Sequence, residues 1–310
     1  MNRPQSASAV SGSVGDATGA KFHCLICDYR TDHPNPTELG QARGNTERFK
    51  TTIYPLWKCP SCQAIHSVEK VELEDIYRDY PLNRQRRLDV FARGTLKNLL
   101  RRLTGNGLEK NSTILDFGCG NGVFLEYLRG EGYTTAAGYD PYVAESEELP
   151  LMDGGYDCVV ANDVIEHVEN PRTTTQECFD LVKPGGLLYL GTADSEGVKK
   201  MDDLEPHIMR LHQPFHRVIV TQQSLLDLGN ELGLYVVQAY KRSYMDTLIP
   251  FANYRFLDEF NKALGHNLDL ALAPDAGRIL LRRPSLLFYA LFGYFVPSAD
   301  EPAVLWRKPR

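Results

Sequence analysis

No apolar run in this 310-residue chain is long enough to cross a bilayer. The most apolar stretch, Leu286-Leu287-Phe288-Tyr289-Ala290-Leu291-Phe292, stops well short of the roughly 20 residues that a spanning helix needs. Nor is there an excess of positive charge. Against 40 Asp and Glu stand 34 Lys and Arg, so the formal net charge of -6 leaves no global footprint for a polyanion. No secretory leader is recognisable and the seven cysteines are odd in number, which argues against a secreted disulfide scaffold and predicts a reducing, cytoplasmic setting. Residues 1–20 are small, polar and aperiodic, and read as a disordered lead-in.

Four of the cysteines are placed in pairs. Cys24-Leu25-Ile26-Cys27 and Cys59-Pro60-Ser61-Cys62 have the spacing with which two tight turns present four thiolates tetrahedrally to Zn²⁺. The 31 residues between the pairs are too polar and too broken by proline to form a core unaided, so a structural zinc is expected to organise a zinc-ribbon-like unit over 21–70. His23 and His66 flank the pairs as alternative or outer ligands. A helical linker or lid follows over 71–108, with Tyr77 and Tyr80 in its first helix and Leu88, Phe91, Leu96, Leu99, Leu100 and Leu103 on the apolar side of a helix read over 84–103.

The densest signal is Ile114-Leu115-Asp116-Phe117-Gly118-Cys119-Gly120-Asn121-Gly122, a short apolar run that ends in three alternating glycines and opens an amphipathic segment. Glycines there can take positive φ and bring the backbone against a ligand. A dinucleotide loop would read GxGxxG. This one reads GxGxG after an acid, a pattern suited to a nucleoside that carries a cationic, amino-acid-bearing arm. Ala136 to Tyr139 reads as the next strand and ends in Asp140, where a carboxylate can accept both ribose hydroxyls. Asp157 to Ala161 reads as a central strand that delivers Asn162, Asp163, Glu166 and His167 to its carboxyl end, where ligands of parallel sheets bind. Lys183-Pro184-Gly185-Gly186 reads as a turn before a strand over 187–190, with further strands over 235–239 and 303–306.

In these landmarks the chain resembles the class I S-adenosylmethionine-dependent methyltransferases, of the small-molecule type with an N-terminal zinc-binding unit; the stretch from Asp163 to Val168 is similar to the segment after the fourth strand in ubiquinone-biosynthesis methyltransferases. The resemblance implies an α/β, Rossmann-like, seven-stranded sheet over 109–310, with S-adenosylmethionine bound by Asp116, Gly118, Cys119, Gly120, Gly122, Asp140 and Asn162. Only 15 residues separate Asp140 from Tyr156, so the third strand is expected to be abbreviated to Tyr142–Ala144 and Glu145 or Ser146 to meet the adenine. Similarity to sugar-nucleotide C-methyltransferases places Tyr77 and Tyr80 over cofactor and substrate.

For chemistry, His167 or His216 is expected to take an acceptor proton, with Asp163 or Glu166 orienting the acceptor or the histidine. His212, from the same polar loop as His216, is expected to contact substrate. Glu166 and His167 as mere helix caps remain an alternative. Methyl transfer demands neither a catalytic metal nor a covalent intermediate, because the sulfonium is already activated. A helical insertion over 247–297 is expected to serve as a lid over an apolar acceptor, as a homodimer face, or as packing alone. Two further readings stay open. One is an RNA base methyltransferase that uses Arg84, Arg86, Arg87, Arg93, Lys97, Arg101 and Arg102 as a phosphate stripe; the other is a non-catalytic zinc-containing interaction protein.

Overall fold

A computed structural model describes the protein over residues 21–78, 80–81, 88–142, 155–297 and 301–310. Each cysteine pair is the loop of a hairpin. β1 (Phe22–His23) and β2 (Arg30–Thr31) flank the first; β3 (Leu39–Arg43) leads to β4 (Ile53–Lys58) and β5 (Ile65–Ser67), which flank the second. α1 (Leu73–Tyr77) follows, and Tyr80 lies beyond its end. α2 (Val90–Thr104) starts where the Asp89 carboxylate accepts from the Ala92 N–H at 2.8 Å. It buries Leu96, Leu99, Leu100 and Leu103 at helical spacing, while Phe91, expected on the same side, is exposed and meets Phe251 edge-on. The start expected at residue 84 falls among 82–87, outside the described residues.

The main sheet is built from β6 (Ile114–Phe117), β7 (Ala136–Tyr139), β8 (Tyr156–Asn162), β9 (Val182–Gly191), β11 (Tyr235–Tyr240) and β12 (Ala303–Arg307), in the order β11-β12-β9-β8-β6-β7. The four strands from β7 to β9 are parallel, and β12 runs antiparallel to both its neighbours. This is the Rossmann-like methyltransferase sheet, with six strands among the described residues. Of the abbreviated strand expected at Tyr142–Ala144, Tyr142 sits in a turn and the rest lies outside the described residues. Alternate residues face opposite layers, as strand geometry requires. Leu115, Val159, Leu188, Val304 and Trp306 belong to one core; Ile114, Cys158, Val160, Leu187 and Leu305 belong to the other, with α2 and α3 (Val123–Gly130).

Lys183 to Gly186 does not end as a separate turn. It is absorbed into β9 as an irregularity between the Tyr156 and Cys158 registers, with Gly185 at φ 80°.

The connection after β9 carries α5 (Ile208–Leu211) and then β10 (Val218–Ile219), which pairs with β5 and completes a second sheet of order β10-β5-β4-β3. The N-terminal unit is therefore joined to the main domain by strand pairing. Trp57, Cys24 and Cys59 are buried in the same core as Leu115 and Trp306, because so short a segment buries its apolar side chains only against the larger domain. Between β11 and β12 lie α7 (Tyr254–Ala263), α8 (Leu268–Ala271), α9 (Ile279–Arg282) and α10 (Ser285–Phe292); α4 (Pro171–Leu181) and α6 (Gln222–Glu231) are further helices among the described residues.

Candidate functional site

The glycine loop has the conformation its sequence calls for. Gly118, Gly120 and Gly122 sit at φ 78°, 51° and 75°. The amides of Gly118 and Cys119 both donate to the Tyr139 carbonyl, at 2.7 and 3.0 Å, which locks the loop to the end of β7. At Gly118 a Cβ would run into Val164, whereas at Gly120 nothing lies within 4 Å. The Gly120 amide instead donates to Asp140 Oδ2 at 2.9 Å, and the Tyr142 amide donates to Oδ1 at 2.9 Å. The carboxylate expected to meet ribose is thus held at the loop with both oxygens oriented. Asp116 is buried, and burial pushes the Cys119 thiol up to about 12, so this thiol stays protonated. Glu145 lies outside the described residues.

At the carboxyl end of β8 the chain turns sharply at Asp163, whose φ of 55° is in the left-handed region. Its amide donates to the Gly191 carbonyl at 2.9 Å, and its carboxylate accepts from Asn162 Nδ2 at 2.7 Å. Three residues on, Glu166 is 1% exposed, and its Oε1 takes a long contact of 3.4 Å from the Ala193 amide. Burial, and then the Asp163 carboxylate, push the Glu166 carboxyl up to about 8.

The histidine loop returns to the same place. One ligating atom each of Glu166, His167 and His216 lies within 4.8 Å of the others. His216 donates from Nδ1 to the Arg210 carbonyl at 2.8 Å; burial, then His167 and His212, hold it well below the ordinary imidazole value. His167 Nδ1 is 3.2 Å from the Phe215 carbonyl and 2.6 Å from the Tyr77 hydroxyl. His212 has both ring nitrogens committed. It donates to Asn45 Oδ1 at 2.8 Å and accepts from the Tyr80 hydroxyl at 2.9 Å, and burial pushes it down to about 3. Of the two tyrosines, Tyr80 is spent on that bridge, whereas Tyr77 stacks on Tyr142 with ring centroids 5.3 Å apart. Both line the site.

Most of these groups open on one cavity of about 1410 Å³, which runs from the glycine loop past Glu166, His167 and His216 to an apolar wall formed by Tyr254, Leu257, Phe260 and Leu272. The wall belongs to α7 and the segment after α8. The most apolar helix, α10, packs Leu286 and Ala290 against Phe256 and leaves Leu287, Phe288, Leu291 and Phe292 exposed.

None of the four paired cysteines lines this cavity. They converge elsewhere, with Sγ atoms 3.4 Å apart for Cys24 and Cys62 and 3.6 Å for Cys27 and Cys59. Thiolates at ~2.3 Å from a tetrahedral zinc stand about 3.8 Å apart, so the donor set fits that ion with a small expansion. The two knuckles repeat each other's backbone. The Asp28 and Gln63 amides donate to the Cys24 and Cys59 carbonyls at 3.0 and 2.9 Å, and both residues have positive φ. His66 Nε2 is 3.2 Å from Cys24 Sγ, beside the four thiols rather than in place of one.

The methyltransferase-domain family matches residues 82–239. The chain belongs to this family. Among curated methyltransferases, the ubiquinone biosynthesis O-methyltransferases of Escherichia coli O127:H6 and of Shigella boydii serotype 18 are each 31% identical over 105 residues, which is 27% of this chain and 44% of theirs. The chain thus spans less than half the length of these relatives. Among solved structures, the Haloferax volcanii complex of the Trm112 methyltransferase activator with a methyltransferase has a TM-score of 0.47 at 17% identity, covering 78% of this chain and 100% of that one. Haemonchus contortus phosphoethanolamine N-methyltransferase 2 with S-adenosyl-L-methionine has a TM-score of 0.46 at 14% identity, covering 90% and 70%.

Two residues in or behind this methyltransferase domain's cavity escaped the sequence reading. Glu301 lines the cavity, and burial and the Asp163 carboxylate raise its carboxyl well above the ordinary value. Its signal was topological: β12 is antiparallel, with Ala303 opposite Gly191, so a residue just before it lies at the carboxyl end of the parallel strands. Asn45, which fixes His212, comes from the N-terminal unit and gave no signal. The basic stripe fares differently. Arg102 is turned inward onto the Tyr240 ring and the Arg242 carbonyl, Arg93, Lys97 and Arg101 are exposed, and Arg84, Arg86 and Arg87 lie outside the described residues. Among the described residues no helix is long and apolar enough to cross a membrane.

Proposed function

We propose that the protein transfers a methyl group from S-adenosylmethionine to a small metabolite with an apolar portion. What supports this is the single continuous cavity of about 1410 Å³, larger than a pocket for one drug-sized ligand and graded from a polar loop to an apolar wall. Gly120 gives backbone access to the nucleoside, Asp140 accepts its ribose hydroxyls, and Asp116 and Asn162 flank its charged arm. The cofactor supplies an already activated methyl, so the work left to the chain is alignment, exclusion of water and management of one acceptor proton.

Tyr77 and Tyr142 cover the space between loop and acceptor, and α7 receives the apolar part. Proton management falls to Glu166, His167 and His216. His216 is a weak base at neutral pH, because burial opposes its protonation; Glu166, held near 8, exchanges a proton there readily. The four paired cysteines are assigned a structural zinc, away from the chemistry. A homodimer would use the exposed face of α10.

Methyl-labelled S-adenosylmethionine, incubated with the protein and a size-fractionated extract, should label the small-molecule fraction. Label confined to RNA would overturn this reading.

A further inference from the structure

The partly buried arginines of this chain mostly find carbonyls. Arg102 donates to the Arg242 carbonyl, Arg172 to that of Ile26, and Arg307 to those of Gly185 and Asn106. Arg210 does not. Its side chain is 12% exposed, and among the described residues its guanidinium makes one ion pair, to Asp194, with Nη1 3.9 Å from Oδ2 and so beyond hydrogen-bond reach. Asp194 is engaged elsewhere: its Oδ1 accepts from the Glu196 amide at 2.9 Å, and burial raises its carboxyl above the ordinary value in spite of the arginine. The pair is loose. A guanidinium withdrawn from water with its fork unfilled is costly unless a further anion meets it.

The side chain is also placed to meet one. α5 buries Ile208 and Leu211 in the core and turns Met209 and Arg210 to the cavity, of which Arg210 is the only Lys or Arg among the described lining residues. At Gly197, also on the lining, a Cβ would run into the guanidinium, so the missing side chain makes its room. The charge of Arg210 is felt by Glu301, and also by His207, which Asp258 of α7 reaches as well. The guanidinium thus lies near the polar cluster and the apolar wall alike.

We propose that the acceptor carries a carboxylate, which Arg210 receives through paired hydrogen bonds while Tyr254, Leu257 and Phe260 enclose the apolar portion. The inference rests on the methyltransferase reading and narrows its acceptor to an amphipathic acid. A guanidinium fork matches the two oxygens of a carboxylate. One negative charge also suits a site with one arginine: Asp163 and Asp258 line the same cavity, and the second charge of a phosphate would face them uncompensated. Arg210 positions the acceptor and takes no part in making or breaking bonds.

The test is calorimetric binding of decanoate at pH 8 to the full chain saturated with S-adenosylhomocysteine, with decanol and decyl phosphate as the uncharged and doubly charged probes of the same tail. Decanoate should bind at least about tenfold more tightly than either. Arg210→Gln should lose that advantage and keep the wild-type affinity for decanol and for S-adenosylhomocysteine. Arg210→Lys, which retains the charge without the fork, should fall between, and it decides if Arg210→Gln does not fold. Asp194→Asn should bind decanoate at least as tightly as the wild type, because it removes a competing carboxylate.

Decanoate that fails to saturate the wild type at millimolar concentration, binds no better than decanol, or keeps its affinity in Arg210→Gln would overturn the proposal. So would a preference for decyl phosphate, which would make the site one for phosphate. Equal losses in Asp194→Asn and Arg210→Gln, with lower melting temperatures in both, would mark the pair as structural and overturn it too. All three probes are also titrated without S-adenosylhomocysteine. A protein unable to bind that molecule would count against the methyltransferase reading, while the carboxylate site stands or falls on the probes.

Discussion

The Tyr77 hydroxyl stands 2.6 Å from His167 Nδ1, and so joins the helix ahead of the nucleotide-binding domain to the residue that follows its central strand. Burial, and then Tyr80, hold the Tyr77 phenol well above its ordinary value, so it remains protonated. Tyr77→Phe removes this contact and leaves His167 the Phe215 carbonyl. A neutral hydrogen bond is worth about 1 kcal/mol, so methyl transfer should slow by roughly fivefold while the affinity for S-adenosylhomocysteine stays unchanged. Steady-state rates together with calorimetry would check both halves.

Asp140→Ala should weaken S-adenosylhomocysteine binding by about 1.5–3 kcal/mol, since it deletes a charged acceptor and also frees the Gly120 and Tyr142 amides that shape the loop. Isothermal calorimetry gives the number directly, and unchanged affinity would mean that the ribose lies elsewhere.

Two neighbouring glycines should fail in different ways. Gly118→Ala places a Cβ on Val164 at positive φ, so it should destabilise the fold by roughly 2–4 kcal/mol. Gly120→Ala meets no protein atom within 4 Å. Its cost in stability should stay near the ~1 kcal/mol of the left-handed conformation, yet cofactor binding should fall sharply because the methyl projects into the ligand's space. Urea denaturation set beside ligand calorimetry separates the two outcomes.

Stability should pass through a maximum near pH 6.5. Glu166 is raised from 4.5 to about 8, so the folded state holds a proton that the unfolded chain has already lost, and stability drains away as pH climbs across that window at up to ~1.4 kcal/mol per unit. His212 and His216 are lowered from 6.5, so the unfolded chain gains their protons first and stability falls again as pH drops below that value. In Glu166→Gln the decline between pH 6.5 and 8 should flatten while the acid limb persists. Denaturant melts at half-unit pH intervals would show whether it does.

Purified protein should contain one zinc per chain by elemental analysis. Cys59→Ser should lose it and cost on the order of 3 kcal/mol or more, because both hairpins depend on the same four thiols. Zinc-free protein with unchanged stability would reject the assignment.

Much of this was legible in the sequence because local patterns carried it. The glycine loop, Asp140 at the end of a strand and the cysteine knuckles each pack their meaning into a few consecutive residues. Glu301 and Asn45 were hidden for the opposite reason. Glu301 reaches the cavity, and Asn45 the histidine that lines it, through a long-range pairing, β12 against β9 in one case and the N-terminal sheet against the histidine loop in the other, and neither leaves a periodic trace. The depressed basicity of His216 was also out of reach. It comes from burial among two other imidazoles contributed by distant positions.

The pairing of β5 with β10 has one more consequence. β5 begins three residues after Cys62, and β10 begins two residues after His216. The histidine-bearing return of the chain thus completes a sheet that the cysteine unit begins, and removing that unit takes away its strand partner. A fragment that begins after the knuckles would keep the glycine loop and Asp140. It could hold the nucleoside and still have no fixed place for the acceptor.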